Sequence, residues 1–114
     1  MKQAGVIILC RFPQADLELG KLRPALLLGK LHSKYDDWLV CMISSQVRQY
    51  IPDVDELIQA NHDDFVQSGL RNESVIRVER LAVVEEEILL GEIGSISQER
   101  LKRIKFRLME WIGQ

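Results

Sequence analysis

Short apolar stretches separated by polar turns are the feature that most limits the folds open to this chain. Runs of Val, Ile and Leu that end at Pro, Gly or Asp are typical of β-strands. Their succession favours a small antiparallel barrel or sandwich over a parallel sheet with crossover helices. The predicted strands cover residues 4–12, 22–31, 36–46, 74–84 and 85–94.

The segment between the third and fourth predicted strands is harder to assign. Residues 54–58 fit either a short strand or a helical turn. Asn61 is a suitable N-cap for a short helix, with Asp63 and Asp64 in its first turn and Gly69 at its end. We therefore expect a short, solvated helix to be inserted between the strands.

The C-terminal segment carries the clearest helical pattern. Ser97 is a favourable N-cap, and apolar residues recur at helical spacing from Gln98 to about Ile112. Trp111 belongs to this apolar face and is expected to anchor the helix to the core. Together these elements predict one mainly β domain over residues 1–114, with a short inserted helix and a C-terminal helix.

Charge is distributed unevenly along the 114 residues. The net charge of −2 argues against a surface that coats nucleic acid along its whole length. Residues 1–50 nevertheless carry seven Lys/Arg against four Asp/Glu, whereas residues 51–114 carry eight against thirteen. A polyanionic partner is therefore expected to bind the N-terminal half of the chain.

Cysteine usage and hydropathy indicate a cytoplasmic protein without a membrane segment. Cys10 and Cys41 both lie in predicted strands, where reduced core thiols are the preferred interpretation. No apolar run approaches the roughly 20 residues of a membrane span. The stretch "VIILC" is too short for the apolar part of a secretory signal.

Arg23 stands directly before Pro24, at the start of the second predicted strand. Proline favours an extended backbone in the preceding residue and has no N–H, so the pair belongs at the beginning or edge of a strand. The guanidinium is then held at the rim of a sheet, with five donors that suit a phosphate or a carboxylate. A surface ion pair with Asp16 or Glu18 is the alternative.

Five segments occur in the order and spacing of a known family. They read "GVIILCRFP", "KLRPALLL", "CMISSQ", "SVIRVERL" and "IGSISQERLKRI", and they extend from about residue 5 to residue 108. In these segments the chain resembles the MazF/PemK family of toxin ribonucleases. The resemblance implies a small SH3-like β-barrel with helices, a homodimer and an acidic antitoxin partner. It also implies cleavage of single-stranded RNA without a metal or another cofactor.

The resemblance assigns roles to individual residues. Arg23 falls at the catalytic arginine of the family, and Ser44 falls where a threonine is usual. Glu79 falls where some relatives have the aspartate of an Arg-x-Asp pair, and it is the expected general base or acid. The expected RNA-binding residues are Lys21, Ser45, Gln46 and Arg77.

Purely structural roles are the alternatives for four of these residues. Ser44 and Ser45 also fit turn chemistry at a strand end, where serine bonds to the local backbone. Arg77 and Glu79 are expected on one face of their strand, where they also fit a surface ion pair.

Besides Ser44, the chain departs from the family in two places, which leaves two other functions open. Val6 stands where the family usually has Asp, and the loop at residues 14–20 has no histidine but carries two acidic residues. A relative that kept the fold and lost catalysis would act as a binding module. The tail "LMEWIGQ" also loosely resembles that of the gyrase-poisoning toxin CcdB.

Overall fold

An antiparallel sheet of six strands organises the chain in the computed structural model, which describes residues 2–11 and 22–114. Two α-helices accompany it, a short α1 (Phe65–Ser68) and a longer α2 (Gln98–Ile112), and 3-10 turns occupy Val47–Gln49 and Glu86–Ile88. The strands are β1 (Val6–Arg11), β2 (Leu22–Lys30), β3 (Asp37–Ser44), β4 (Glu56–Ile58), β5 (Ser74–Glu85) and β6 (Leu89–Ser95). Their spatial order is β4–β5–β3–β2–β1–β6, and every neighbouring pair is antiparallel.

This architecture confirms the mainly β prediction with an inserted helix and a C-terminal helix. The five predicted strands correspond to β1, β2, β3, β5 and β6, and residues 54–58 contain the short strand β4. Among the described residues, β4 and β6 are the edges of the sheet, since β4 pairs with β5 and β6 pairs with β1. Closure into an SH3-like barrel, which would join these edges, stays a prediction.

Apolar side chains are buried on both faces of the sheet. On one face, Leu101, Ile104 and Leu108 of α2 pack against a cluster that includes Ile43 and Ile76. This is the i, i+3, i+7 spacing of one helix stripe. A second cluster consists of Val6, Ile8, Cys10, Ala25, Leu27, Trp38, Val40 and Val84. Both cysteines are free and buried, as expected for reduced core thiols.

The ends of the helices test the predicted caps. Ser97 caps α2 as predicted, because its Oγ accepts a hydrogen bond from the backbone N–H of Arg100 at 3.1 Å. The predicted N-cap at Asn61 is wrong, since α1 begins at Phe65 and Asp64 occupies the N-cap position. The first turn of α1 was expected to be exposed to solvent, which is wrong for Asp64. Its carboxylate is buried and accepts a hydrogen bond from Arg100 of α2. Gly69 ends α1 in a left-handed conformation, as expected.

The predicted role of Trp111 as a core anchor is wrong. Its side chain is 41% exposed, because it lies in the last turn of α2 at the rim of the buried stripe. Leu101, Ile104 and Leu108 supply the buried contacts of the helix. Across the described part of the chain, no helix has both the length and the apolar content needed to cross a membrane.

Candidate functional site

The register of β2 against β3 brings Arg23 and Ser44 to the same end of the sheet. The ladder pairs Ala25 with Met42, Leu26 with Cys41 and continues toward Lys30. Arg23 lies two residues before Ala25 and Ser44 two residues after Met42, so both side chains lie on the face to which this pair projects. Residues that face each other across two antiparallel strands project to the same side of the sheet. The two predicted site residues are therefore neighbours on one face.

Pro24 explains why the pairing of β2 with β3 stops short of Arg23. On one side, β2 pairs with β1 as far as Leu22, with Arg23 opposite Cys10 and Pro24 opposite Leu9. On the other side, the ladder with β3 begins only at Ala25. Proline has no N–H to donate, so the pairing to β3 does not extend through it. Arg23 thus lies where β2 is locally an edge, as its sequence context predicts.

The guanidinium of Arg23 is only partly satisfied by the protein. Its Nε is buried and meets no hydrogen-bond acceptor among residues 2–11 and 22–114. A buried donor without an acceptor is costly, so this group is suited to an acceptor that arrives from outside. The neighbouring thiol adds no negative charge, because burial raises the pKa of Cys10 to about 11.

Ser44 ends β3 in the turn chemistry expected for serine. Its Oγ accepts the backbone N–H of Gln46 at 3.0 Å. A hydroxyl that accepts one hydrogen bond still has its own proton to donate. The turn role of Ser44 thus leaves its hydroxyl proton for another acceptor, and none binds it within the part of the chain that the structure describes. Ser45 and Gln46 follow and are both exposed.

Arg77 reaches the same face from β5. Arg77 pairs with Met42 of β3, and Val75 pairs with Ser44. The register is regular between these two pairs, so Arg77 and Ser44 are diagonal neighbours. Its Nη1 donates to Gln49 Oε1 at 2.9 Å, and its Nε lies 3.6 Å from Asp55 Oδ2. The alternative of a cross-strand surface ion pair holds in part, since Arg77 pairs with a carboxylate of another segment, but Asp55 is buried and lies just before β4.

Asp55 is a site residue that sequence reasoning missed. Its side chain is buried and accepts the backbone N–H groups of Ile51 at 3.0 Å and of Val78 at 3.2 Å. With Arg77 as a third partner, it joins the turn before β4 to β5. In the sequence it is one carboxylate among several polar residues, so nothing in its spacing marks it.

Glu79 lies in a bulge of β5. The partner of Cys41 is Leu81, whereas the partner of Met42 is Arg77, so three residues bulge out between them. Bulges commonly redirect side chains next to functional sites. Glu79 is exposed, and it lines one hollow together with Arg77. The predicted RNA-binding residue Lys21 and the acidic loop at residues 14–20 lie outside the described residues.

A buried charge cluster fixes α2 behind this surface. Arg100 binds Asp64 through Nε at 2.8 Å and through Nη2 at 3.0 Å, and its Nη1 lies 3.0 Å from Glu56 Oε1. Glu56 also pairs with two further arginines: Arg103 Nη2 lies 3.1 Å from Glu56 Oε1, and Arg107 Nη1 lies 2.7 Å from Glu56 Oε2. All three arginines lie on α2 and converge on the carboxylate of one β4 residue.

The same arginines satisfy backbone carbonyls of the β4 segment. Arg100 Nη1 donates to the carbonyl oxygen of Leu57, and Arg107 Nη1 donates to that of Asp55, both at 2.6 Å. Burial alone would raise the pKa of Asp64. Hydrogen bonds from Arg100 and from the Ser97 N–H outweigh it and lower that pKa to about 2.

Comparison with known proteins places the chain in a family. A sequence model described as the PemK-like, MazF-like toxin of type II toxin–antitoxin systems matches residues 3–112. The chain belongs to this toxin family. Comparison with curated proteins finds no match to this PemK/MazF-family toxin.

Solved structures share the fold of this PemK/MazF-family toxin. The Mycobacterium tuberculosis toxin MazF-mt6 is 17% identical, with a TM-score of 0.68, and 95% of this chain and 96% of that one are covered. The Deinococcus radiodurans MazE-MazF structure is 19% identical, with a TM-score of 0.75 and coverage of 99% and 96%. An endoribonuclease in complex with its cognate antitoxin, from Mycobacterial species, is 10% identical, with a TM-score of 0.72 and coverage of 99% and 96%.

Proposed function

We propose that this toxin is a metal-independent endoribonuclease that cleaves single-stranded RNA, with Arg23 at the scissile phosphate. The observation that carries the proposal is the buried Nε of Arg23, which has no hydrogen-bond partner within residues 2–11 and 22–114 and lies before the first β2–β3 pair. A phosphoryl oxygen is an acceptor of the right charge for such a group. Membership of a family whose members are endoribonucleases supports the same chemistry.

The reaction that fits these residues uses the RNA's own nucleophile. The 2′-OH attacks the adjacent phosphorus as its proton leaves, the P–O5′ bond breaks, and the 5′-oxygen takes up a proton. The products are a 2′,3′-cyclic phosphate and a 5′-hydroxyl. Glu79, exposed on the bulge of β5, is the proposed general base or acid. Because DNA lacks the 2′-OH, the activity is restricted to RNA.

Arg23 and Ser44 stabilise the charge that develops on the phosphoryl oxygens. A planar, permanently charged guanidinium can hold two of these oxygens at once, and its effect grows where water is excluded. The hydroxyl proton of Ser44, left free by the bond from Gln46, donates to the same group. Arg77, Ser45, Gln46 and Lys21 are the proposed contacts for flanking nucleotides.

The proposed assembly is a homodimer of SH3-like barrels in the cytoplasm, inhibited by an acidic antitoxin. Antitoxin complexes among structures of the same fold support the antitoxin as partner. Light scattering of the purified toxin should give twice the chain mass of 13.2 kDa. A monomer at micromolar concentration would contradict the dimer and leave the RNase proposal standing.

The experiment that tests the activity is cleavage of a long single-stranded RNA in EDTA. Native protein should cut it and leave 2′,3′-cyclic phosphate ends, whereas Arg23→Ala should be inactive. Lys102→Ala is the matched control, since Lys102 is an exposed cation on α2. Folded native protein that cuts none of several RNAs would contradict the proposal. It would instead favour a binding module built on the same fold.

The two alternative functions have less support. The family match is to PemK-like, MazF-like toxins, which does not favour a gyrase-directed toxin. Val6 stands where relatives usually have Asp. It is buried in the second apolar cluster and packs there in this chain. Neither observation removes Arg23, Ser44 or Arg77 from their shared face.

A further inference from the structure

Trp111 borders a hollow next to the proposed chemistry, since Glu79 and Arg77 line the same hollow. The hollow lies where the last turn of α2 meets the turn before β4 and the bulge of β5. The indole ring is 41% exposed, although indole is among the most favourable side chains to bury. The other lining residues include Ile51, Val54, Arg77, Glu79 and Arg80.

The hollow is built on a rigid frame. Asp55 accepts backbone hydrogen bonds from Ile51 and from Val78, which ties the turn before β4 to the bulge. It also pairs with Arg77, so the floor of the hollow and one wall are fixed by a single buried carboxylate. A preformed cleft loses little conformational freedom when it binds a ligand.

The hollow meets the proposed cleavage site at Arg77. Arg77 lines it and also lies diagonally across from Ser44, between β3 and β5. Diagonal neighbours in a sheet are only about 7–8 Å apart. A single-stranded RNA held at Arg23 and Ser44 therefore reaches this hollow with its next nucleotides.

The charges that line the hollow are balanced, with Arg77 and Arg80 against Asp55 and Glu79. Asp53 and Glu110 line an adjoining cavity that also borders Trp111. Carboxylates such as these can accept hydrogen bonds from amino groups at a base edge. Arg80 is exposed and forms no ion pair within residues 2–11 and 22–114, so its planar guanidinium is available for stacking.

We propose that this hollow binds one nucleobase of the RNA strand next to the scissile phosphate, stacked on Trp111. Arg80 lies at the rim and covers the opposite side of the base. Stacking on an aromatic ring is tolerant of sequence, because every base has a π-face. The proposal rests on the proposed RNase activity, and it adds a residue of α2 to the substrate surface.

The first test is binding of an uncleavable RNA. The probe is a single-stranded oligonucleotide with the sequence that native protein cuts and a 2′-deoxy nucleotide at the cut position. Binding should change the fluorescence of Trp111 and leave Trp38, which is only 6% exposed, as a constant background. Trp111→Ala should weaken binding about tenfold, since stacking is worth 1–3 kcal/mol per base, and Trp111→Phe should weaken it less. Ile112→Ala, also exposed on α2, is the control and should bind like native protein.

The second test locates the stacked base. Abasic nucleotides are placed one at a time along the same oligonucleotide. At one position near the cut, an abasic nucleotide should weaken RNA binding by native protein as much as Trp111→Ala weakens binding of the intact RNA. The Trp111→Ala protein should bind that abasic RNA no more weakly than it binds the intact RNA.

The outcomes separate this proposal from the RNase proposal. If native protein cuts RNA and Trp111→Ala binds and cuts as native does, the base site is wrong and the RNase remains. If native protein neither cuts nor binds RNA, the RNase proposal itself fails. An effect of Trp111→Ala only on binding of a protein partner would also overturn the base site.

Discussion

Arg100 of α2 and Asp64 before α1 form a buried two-point ion pair, with Nε–Oδ2 at 2.8 Å and Nη2–Oδ1 at 3.0 Å. The same carboxylate accepts the backbone N–H of Ser97 at 3.0 Å. One side chain thus joins the start of α1 to the N-terminal cap of α2, although 36 residues separate the pair in sequence.

Removing Arg100 should destabilise the fold severely. Arg100→Ala leaves the buried carboxylate of Asp64 without its cation, and breaking a buried pair in this way typically costs about 3–5 kcal/mol. Urea unfolding measures the loss. Lys102→Ala, on the exposed side of the same helix, should change the free energy of unfolding by no more than about 0.5 kcal/mol. Equal stability of the two variants would show that the ion pair contributes nothing.

The stability of the protein should depend on pH through Asp64. Its pKa lies near 2 in the folded protein against an ordinary value of 3.8. A lowered folded pKa stabilises the protein above pH 3.8, and the contribution is lost as the pH falls through about 2. The gap in unfolding free energy between native protein and Asp64→Asn should therefore shrink by about 2 kcal/mol between pH 5 and pH 2. A gap that stays constant over that range would contradict the assignment.

Gly69 should not tolerate a side chain. Its φ of 74° is left-handed, and a Cβ there would lie 1.9 Å from the carbonyl oxygen of Ile93 in β6. Gly69→Ala should lower stability by about 1–3 kcal/mol or more, because neither backbone can move freely. Gly91→Ala is the matched control, since a Cβ at Gly91 meets nothing within 4 Å. Thermal unfolding that ranks the two variants equally would mean that α1 does not approach β6 this closely.

Ser44 should be needed for catalysis through its hydroxyl. Ser44→Ala removes the proposed donor to the phosphoryl oxygen, and loss of one such donor typically lowers kcat by about 100-fold. Ser44→Thr keeps the hydroxyl and should stay within a few-fold of native activity. Single-turnover cleavage of RNA measures both, with Ser33→Ala, in an exposed turn, as control. If Ser44→Ala lowers stability and leaves kcat unchanged, the hydroxyl serves only the turn to Gln46.

Strand positions and the last helix could be predicted because their signals are local. The first four apolar runs place β1, β2, β3 and β5 to within about two residues, and Ser97 together with a helical stripe places α2. The last run begins four residues too early, because Glu86–Ile88 form a 3-10 turn before β6. The start of α1 was not predictable in this way. Asn61 is a good cap by composition, but the distant Arg100 and Ser97 engage Asp64, and the helix begins after it.

The candidate site was predictable only as a set of residue types. Sequence places Arg23 before Pro24 and Ser44 at a strand end, but their position on one face depends on the register of β2 and β3. Glu79 was expected to alternate regularly with Arg77, and the three-residue bulge replaces that alternation. Asp55 gained its role from its contacts with Arg77 and with the backbone N–H of Val78, which lies 23 residues along the chain and which no local pattern records.

The arginines of α2 also determine how this sheet can meet other chains. An edge strand offers free backbone groups that can template pairing with a foreign strand, which is a common origin of aggregation. Arg100 and Arg107 occupy the carbonyl oxygens of Leu57 and Asp55, so the β4 edge is closed to strand addition. Another polypeptide could extend the sheet at this edge only by displacing these two guanidinium groups from their carbonyl oxygens.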